Sequence, residues 1–186
     1  AAYEAAQSGL ILPNVSLTVD NNTVHYNPSS PTPPTPSHDY VEIGGIKWAT
    51  MNIGATGVTD GGLYFQWGDT QGYTAAQVGY DEGQKAFGFD DYKWCEVDEG
   101  SGEITFTKYN SIDRKNVLDA SDDAVTVAWG GNWRMPTKDE YIVLGNATTS
   151  AWTENYEGSG VAGLILTDKT DSSKVLFFPA SGIVNA

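Results

Sequence analysis

The fold is decided by the stretch Trp129-Gly-Gly-Asn-Trp-Arg-Met-Pro-Thr-Lys-Asp-Glu-Tyr-Ile-Val-Leu144, which joins an aromatic turn to the start of a helix. Thr137 followed by Glu140 is a capping box, in which each side chain binds a backbone N–H at the other's position. Pro136 blocks extension of the helix towards the N-terminus. Gly145 is suited to a left-handed cap at the other end. The stretch therefore predicts one short helix entered through a tight turn.

Composition limits the classes of partner. The chain has 186 residues, 40% of them hydrophobic, and a net charge of -14, so it can build a core and is strongly acidic. Its 10 basic residues are scattered, which argues against nucleic acid and anionic lipid as partners. A neutral ligand such as a glycan or a protein, or a cation, fits better, and plain solubility is the alternative explanation of the charge. No run reaches the ~18 apolar residues of a membrane span.

Three segments are predicted along the chain. Residues 1–27 alternate apolar and polar residues around Asp20-Asn-Asn22, which predicts a β-hairpin or the end of an upstream domain. Residues 28–38 are rich in proline and predict an extended spacer. Residues 39–186 form the main domain, so that both His25 and His38 are expected to lie outside it.

The main domain is predicted to be α+β, with several short antiparallel strands and one or two short helices. Gly44-Gly45 lies between two apolar runs and predicts a two-residue hairpin. Residues 69–116 form a long excursion that contains one short strand, and Asp119 or Ser121 is expected to cap a helical turn that follows. Further strands are predicted at 63–67, 104–109, 161–166 and 174–178.

Several blocks of the main domain resemble a known family when they are taken together and in order. They are Tyr40–Ala55, Gly62–Asp69, Lys108–Asn110, Asp122–Ala124, Trp129–Thr137 and Phe178–Gly182. In this respect residues 40–182 resemble the Fibrobacter succinogenes major paralogous-type domain of secreted Bacteroidetes proteins. That family is similar to the C-type-lectin-like and formylglycine-generating-enzyme-like folds, which retroelement-diversified variable proteins share. The resemblance implies a C-type-lectin-like fold with a role in surface display and binding.

The chain departs from the family pattern at two places. Met51 stands where many relatives have cysteine, and the family continues well beyond the block that ends at Gly182. The C-terminal part of the lectin-like domain is therefore expected to be missing. On this view the strands at 161–166 and 174–178 would lack a neighbour, and most ligand contacts would lie on the missing part.

The resemblance implies a non-catalytic ligand-binding or adhesion module at the cell surface, associated with the outer membrane. Its ligand would be an extracellular glycan or protein. The module could be the terminal domain of a pilus, a fimbrial tip or a lipoprotein, and other subunits of that assembly would then be its partners. The alternatives are a formylglycine-generating-enzyme-like enzyme and a purely structural surface module. Cys95 is the single cysteine and is expected to be a small buried hydrophobe rather than a nucleophile. No Ser-His-Asp order, zinc spacing or phosphate loop is present.

Two sets of residues are candidates for contact with a ligand. Exposed aromatic rings on the long excursion could contact a ligand from the flank, and these are Tyr73, Tyr80, Tyr92 and Trp94. No cofactor is required, but calcium is chemically compatible with the densest acidic group, which is Asp119, Asp122 and Asp123. The alternative for these acids is capping at a helix start. Trp133 is expected to fill the core.

Overall fold

A computed structural model describes residues 15–20, 23–28 and 38–182, and the chain divides into two compact units, Ala1–Ser37 and His38–Ala186. In the first unit, β1 (Val15–Asp20) pairs antiparallel with β2 (Thr23–Pro28), with Val19 opposite Val24. The hairpin expected in residues 1–27 is therefore present, and its second strand reaches Pro28. Most of the proline-rich spacer predicted at 28–38 lies outside the described residues.

The second unit is a mixture of small antiparallel sheets and two short helices, which confirms the α+β prediction at that level. The strands pair as β3 with β4, β5 with β6, and β7-β8-β9 with β8 in the centre. In chain order the elements are β3 (Tyr40–Ile43), β4 (Ile46–Ala49), β5 (Cys95–Val97), β6 (Ile104–Phe106), α1 (Ala124–Trp129), α2 (Lys138–Ala147), β7 (Thr148–Thr153), β8 (Gly163–Asp168) and β9 (Val175–Pro179).

The β3–β4 turn confirms the hairpin prediction. Gly44 and Gly45 have φ angles of 62° and 77°, the positive values that a two-residue turn of this kind needs. The turn also lies close to α2, because a Cβ atom at Gly44 would come within 2.8 Å of Val143 Cγ1. Glycine at this position therefore serves both the turn and the approach of the hairpin to the helix.

The core lies where the β3–β4 hairpin, α2 and the three-stranded sheet meet. Five buried side chains form it, namely Ile43, Trp48, Leu144, Leu166 and Leu176. Trp48 is only 5% exposed, and its indole N–H donates to the Ile43 carbonyl at 3.3 Å. The prediction that Trp133 fills the core is wrong, because Trp133 is only half-buried and is not one of these core residues.

Helix α2 begins as predicted and ends later than predicted. The Thr137 hydroxyl accepts from the Glu140 N–H at 3.3 Å, and the Glu140 carboxylate accepts from the Thr137 N–H at 2.7 Å. Gly145 does not end the helix, which continues to Ala147. The last carbonyls find other partners, since the Thr148 hydroxyl donates to the Leu144 carbonyl at 2.8 Å. A left-handed glycine cap is not needed where side chains satisfy these carbonyls.

The strand predictions need three corrections. Strand β7 was not predicted, because most of its residues are exposed and show no apolar alternation. It pairs along the whole of β8, so β8 does have a neighbour on each side. The strand expected at 63–67 is reduced to an isolated bridge between Tyr64 and Tyr73.

Candidate aromatic cleft

A cleft of about 350 Å³ opens in the second unit, and most of the large side chains that line it are aromatic. Four chain segments contribute to it: the β3–β4 hairpin with the loop that follows, the α1–α2 connection, the first half of α2, and the end of β9. Its largest lining side chains are Trp48, Tyr64, Trp129, Trp133, Tyr141 and Phe178. We call this site the aromatic cleft, and its volume lies in the ~300–1,000 Å³ range of ligand pockets.

The turn after α1 sets the two tryptophans of one wall. Gly130 and Gly131 have φ angles of 67° and 61°, which turn the chain sharply at the end of the helix. The Thr126 hydroxyl donates to the Trp133 carbonyl at 3.0 Å and ties the turn back to the helix. The rings of Trp129 and Trp133 meet edge to face at 5.7 Å between centroids, a favoured arrangement for aromatic pairs.

Asp123 holds the start of α1 and the α1–α2 connection at once. Its Oδ1 accepts from the N–H groups of Val125 and Thr126 at 2.9 and 3.0 Å, which is the N-cap geometry. Its Oδ2 accepts from the Met135 N–H at 2.8 Å. The cap expected at Asp119 or Ser121 is therefore wrong by a few residues. The reason is that only the carboxylate of Asp123 reaches both the helix N–H groups and the returning chain.

Arg134 and Glu140 brace the next part of the same wall. The two guanidinium nitrogens donate to the two carboxylate oxygens at 2.9 and 2.6 Å, a bidentate pair. This pair, together with the Thr137 N–H, lowers the pKa of Glu140 to about 2. Arg134 thus lines the cleft with its charge already balanced by Glu140.

His38 belongs to the second unit and does not lie outside it as expected. Its ring stacks on Trp129 at 3.9 Å between centroids and contacts Trp133 edge to face at 6.0 Å. Its Nε2 atom is buried and has no hydrogen-bond partner among the described residues. Burial of the imidazole against one face of Trp129 fixes the position of that indole and explains the correction.

The opposite wall is closed by contacts between distant segments. The Tyr64 hydroxyl donates to the Ser181 carbonyl, and the Asn52 amide donates to the Gly61 carbonyl at 3.1 Å. The two bonds hold the 51–64 loop together and tie it to the chain that follows β9. Blocks of the sequence that carry the family resemblance thus come together here, at Trp48, Asn52, Tyr64, Trp129–Pro136 and Phe178–Gly182.

Most of the large side chains that line the aromatic cleft are aromatic or apolar. Its described lining residues provide indole and phenol rings, the Asn52 amide, the Ser181 hydroxyl and two basic side chains, and among them there is no Cys, His, Asp or Glu. Cys95 lies elsewhere, on β5, and it is half-buried, whereas the sequence predicted a small buried hydrophobe.

The four predicted ligand-contacting aromatics do not line the cleft. Tyr80 is 70% exposed, whereas the other three are partly buried in contacts within the domain. The Tyr73 and Tyr92 rings pack edge to face on Phe87 and Phe106, and the Trp94 indole N–H donates to the Gly68 carbonyl at 2.9 Å. The structure therefore does not gather these four residues into one site: Tyr73, Tyr92 and Trp94 have separate partners within the domain, and the Tyr80 side chain is largely open to solvent.

The three candidate calcium ligands have separate partners. Asp122 is buried and accepts from Lys108 at 2.5 Å and from the Tyr109 hydroxyl at 2.6 Å. Burial alone would raise the pKa of Asp122, but Lys108, Tyr109 and Lys93 hold it well below its usual range. Asp119 pairs with Lys108 and Lys115, each at 2.7 Å.

Together with the capping role of Asp123, these contacts commit the carboxylate oxygens to partners within the protein. In residues 38–182 no three His, Cys, Asp or Glu side chains are placed to hold a metal ion. The acids act in this structure as ties between the excursion and α1. Lys108 contacts both Asp119 and Asp122. The hydrogen bond to Asp119 raises the pKa of Lys108 most, and the hydrogen bond to Asp122 raises it further.

Sequence reasoning missed His38, Tyr64, Asn52 and Tyr141 as parts of one site. The signal that could have found two of them, Asn52 and Tyr64, was the set of resemblance blocks, because residues from distant blocks that share one pattern can share one surface. Tyr141 lies just beyond the block that ends at Thr137. No such signal marked His38, which follows a proline-rich segment.

In the part of the chain that the structure describes, neither helix has the length or the apolar character to cross a membrane. Comparisons with protein-family models, curated proteins and solved structures each find no match to this chain.

Proposed function

We propose that the second unit is a non-catalytic ligand-binding module and that the aromatic cleft is its binding site for a neutral glycan. The observation that carries this proposal is the gathering of six aromatic side chains around about 350 Å³ of open space. The faces of indole and phenol rings are electron-rich and attract the C–H groups of a sugar ring. Polar groups that line the cleft, which include Asn52 and Ser181, would orient the bound sugar.

Charge favours a neutral ligand over an anionic one. The chain carries a net charge of -14, so its overall field repels anions. Of the two basic residues in the lining, Arg134 is paired with Glu140, and the Lys47 ammonium lies 4.5 Å from the centre of the Tyr40 ring. Neither cation is therefore left as a strong anchor for a phosphate or carboxylate.

The enzyme alternative finds less support in these residues. A formylglycine-generating-enzyme-like reaction would need cysteine chemistry, and the single cysteine, Cys95, lies on β5 and is not among the cleft residues. The purely structural alternative is weakened by the cleft itself, because a module that only spaces other domains gains nothing from open aromatic volume. The proposal also includes a C-type-lectin-like fold and an extracellular location associated with the outer membrane. Its partners would be other subunits of a surface assembly.

The test is a glycan array probed with the whole chain, followed by calorimetry with the best neutral oligosaccharide. Trp129→Ala and Trp133→Ala should each weaken binding at least about tenfold, the equivalent of ~1.4 kcal/mol. Trp152→Ala is the matched control, because that indole lies on β7, is exposed and bonds to Glu154. Its affinity should equal that of the unaltered protein.

Two results would contradict this proposal. One is an array in which no neutral glycan is bound. The other is a bound glycan whose affinity falls with Trp152→Ala and not with the cleft variants. Binding of a protein ligand at the cleft, detected with the same variants, would keep the site and change the ligand class.

A further inference from the structure

The β5–β6 hairpin carries an apolar face that nothing in the described structure covers fully. Cys95 lies opposite Phe106, and Val97 lies opposite Ile104. Side chains alternate along a strand, and directly paired residues share a face, so these four side chains lie on one side of the hairpin. We call them the β5–β6 face. It is a separate surface from the aromatic cleft, since none of the four lines the cleft.

The β5–β6 face is extended by aromatic rings and stays open to solvent. Phe89 and Tyr92 contact the Phe106 ring edge to face, at 5.9 and 6.3 Å between centroids. Phe89 is 49% exposed, and Ile104 and Phe106 are each 41% exposed. A two-stranded hairpin is marginal in water by itself, and a contiguous exposed apolar patch of this kind is typical of interaction surfaces.

The surroundings of this face are acidic. Five carboxylates within residues 89–103 are exposed and form no ion pair with any described residue, and these are Asp90, Glu96, Asp98, Glu99 and Glu103. The one lysine of residues 89–103 is Lys93, and its ammonium group lies 3.4 Å from Asp122 and 4.6 Å from the centre of the Trp94 ring. The apolar centre is therefore bordered by negative charge that the domain does not balance locally.

We propose that the β5–β6 face docks a partner polypeptide segment that presents apolar side chains flanked by Lys or Arg. The apolar side chains would cover Ile104 and Phe106, while the basic ones would meet the carboxylates at the border. Apolar burial supplies affinity in such an interface, and complementary charge supplies selectivity and a fast encounter. An acidic partner is disfavoured because like charges would be brought together.

The probe is a short peptide in which Leu and Lys alternate, and its matched control alternates Leu and Glu. Calorimetry with the whole chain should detect the Lys peptide and not the Glu peptide, with affinity that falls between low salt and about 0.3 M salt. Cys95 is the only cysteine and lies on this face, so saturating Lys peptide should also slow its modification by a thiol reagent several-fold.

Variants separate docking at this face from attraction to the net charge. Ile104→Ser and Phe106→Ser should each weaken the Lys peptide at least tenfold, whereas Ile112→Ser, at a site that is 89% exposed, should not. Because the first two changes can disturb the hairpin, their melting temperatures are measured alongside. The exposed pair Asp90→Asn with Glu99→Gln keeps the apolar residues and should still weaken binding several-fold.

A second pair of changes, Glu42→Gln with Asp139→Asn, removes the same charge from exposed positions on β3 and α2. These changes should leave the affinity unaltered. The proposal is overturned if the Lys peptide fails to bind, if the Glu peptide binds equally well, or if both charge pairs weaken binding alike. Trp129→Ala should not affect this peptide, so this proposal and the glycan-binding proposal fail separately.

Discussion

Replacing Asp123 by alanine tests how the entrance to the aromatic cleft is built. The side chain is buried and accepts three backbone hydrogen bonds, two from the first turn of α1 and one from Met135. Met135 lies between two cleft residues, Arg134 and Pro136. One carboxylate therefore joins the helix start to the chain that forms the cleft wall.

The expected cost follows from these contacts. Loss of an aspartate N-cap costs ~1 kcal/mol. Loss of the bond from Met135 to a charged acceptor costs a further ~1.5–3 kcal/mol. Asp123→Ala should thus lower the free energy of unfolding by roughly 2.5–4 kcal/mol. At about 2–4 °C for each kcal/mol in a chain of this size, the melting temperature should fall by roughly 5–16 °C.

Asp123→Asn divides this cost between the two oxygens. The amide keeps an acceptor for Val125 and Thr126, but its NH₂ group then faces the Met135 N–H, which is also a donor. The Asn variant should therefore retain the cap, lose the Met135 bond and fall between the unaltered protein and Asp123→Ala. Asp139→Ala is the matched control, because that aspartate lies exposed in the first turn of α2 and contributes only ~0.3–1 kcal/mol through the helix dipole.

Urea and thermal denaturation monitored by tryptophan fluorescence measure these differences. Asp123→Ala with a cost no greater than Asp139→Ala would refute the reasoning, as would an Asn variant as stable as the unaltered protein. The same samples test the calcium hypothesis for the three aspartates. Millimolar calcium should leave the melting temperature unchanged, and a rise that Asp123→Ala abolishes would restore a metal site.

Three further predictions concern stability. The pKa of Glu140 is lowered from 4.5 to about 2 in the folded state, so its stabilising contribution is complete above about pH 4.5 and is lost as the pH falls towards 2. Melting temperatures measured over this range should fall less steeply for Glu140→Gln, and identical slopes would contradict the assignment. Gly163→Ala should cost ~1–3 kcal/mol because its Cβ would lie 2.3 Å from the Phe178 carbonyl oxygen. Gly145→Ala, in open space on α2, should instead stabilise the protein by ~0.5–1 kcal/mol. If urea denaturation showed that both substitutions stabilise, or that both destabilise, the reasoning would be refuted. Lys108→Met should lower the melting temperature more than Lys115→Met, because Lys108 pairs with the buried Asp122 and Lys115 only with the partly exposed Asp119; an equal effect would count against the Asp122 contact.

The sequence by itself determined those features whose signals are short in range. The start of α2 depends on Thr137 and Glu140, three residues apart, and the β3–β4 turn depends on two adjacent glycines. Such contacts form within one turn of chain, so the residue types alone are sufficient to predict them. The β1–β2 hairpin belongs to the same group, because its alternation and polar turn are local.

Tertiary structure alone decided the features that depend on distant partners. The end of α2 was set by Thr148 and by Lys169, whose backbone N–H donates to the Ala147 carbonyl at 2.9 Å from the far end of β8. His38 contacts the second unit through the rings of Trp129 and Trp133, which lie about 90 residues away in sequence. The aromatic cleft likewise needs segments more than 100 residues apart in sequence, as the Tyr64–Ser181 contact requires. Local patterns name the aromatic residues of such a site, but only the folded chain brings them together, because their contacts are fixed by long-range packing rather than by neighbours in sequence.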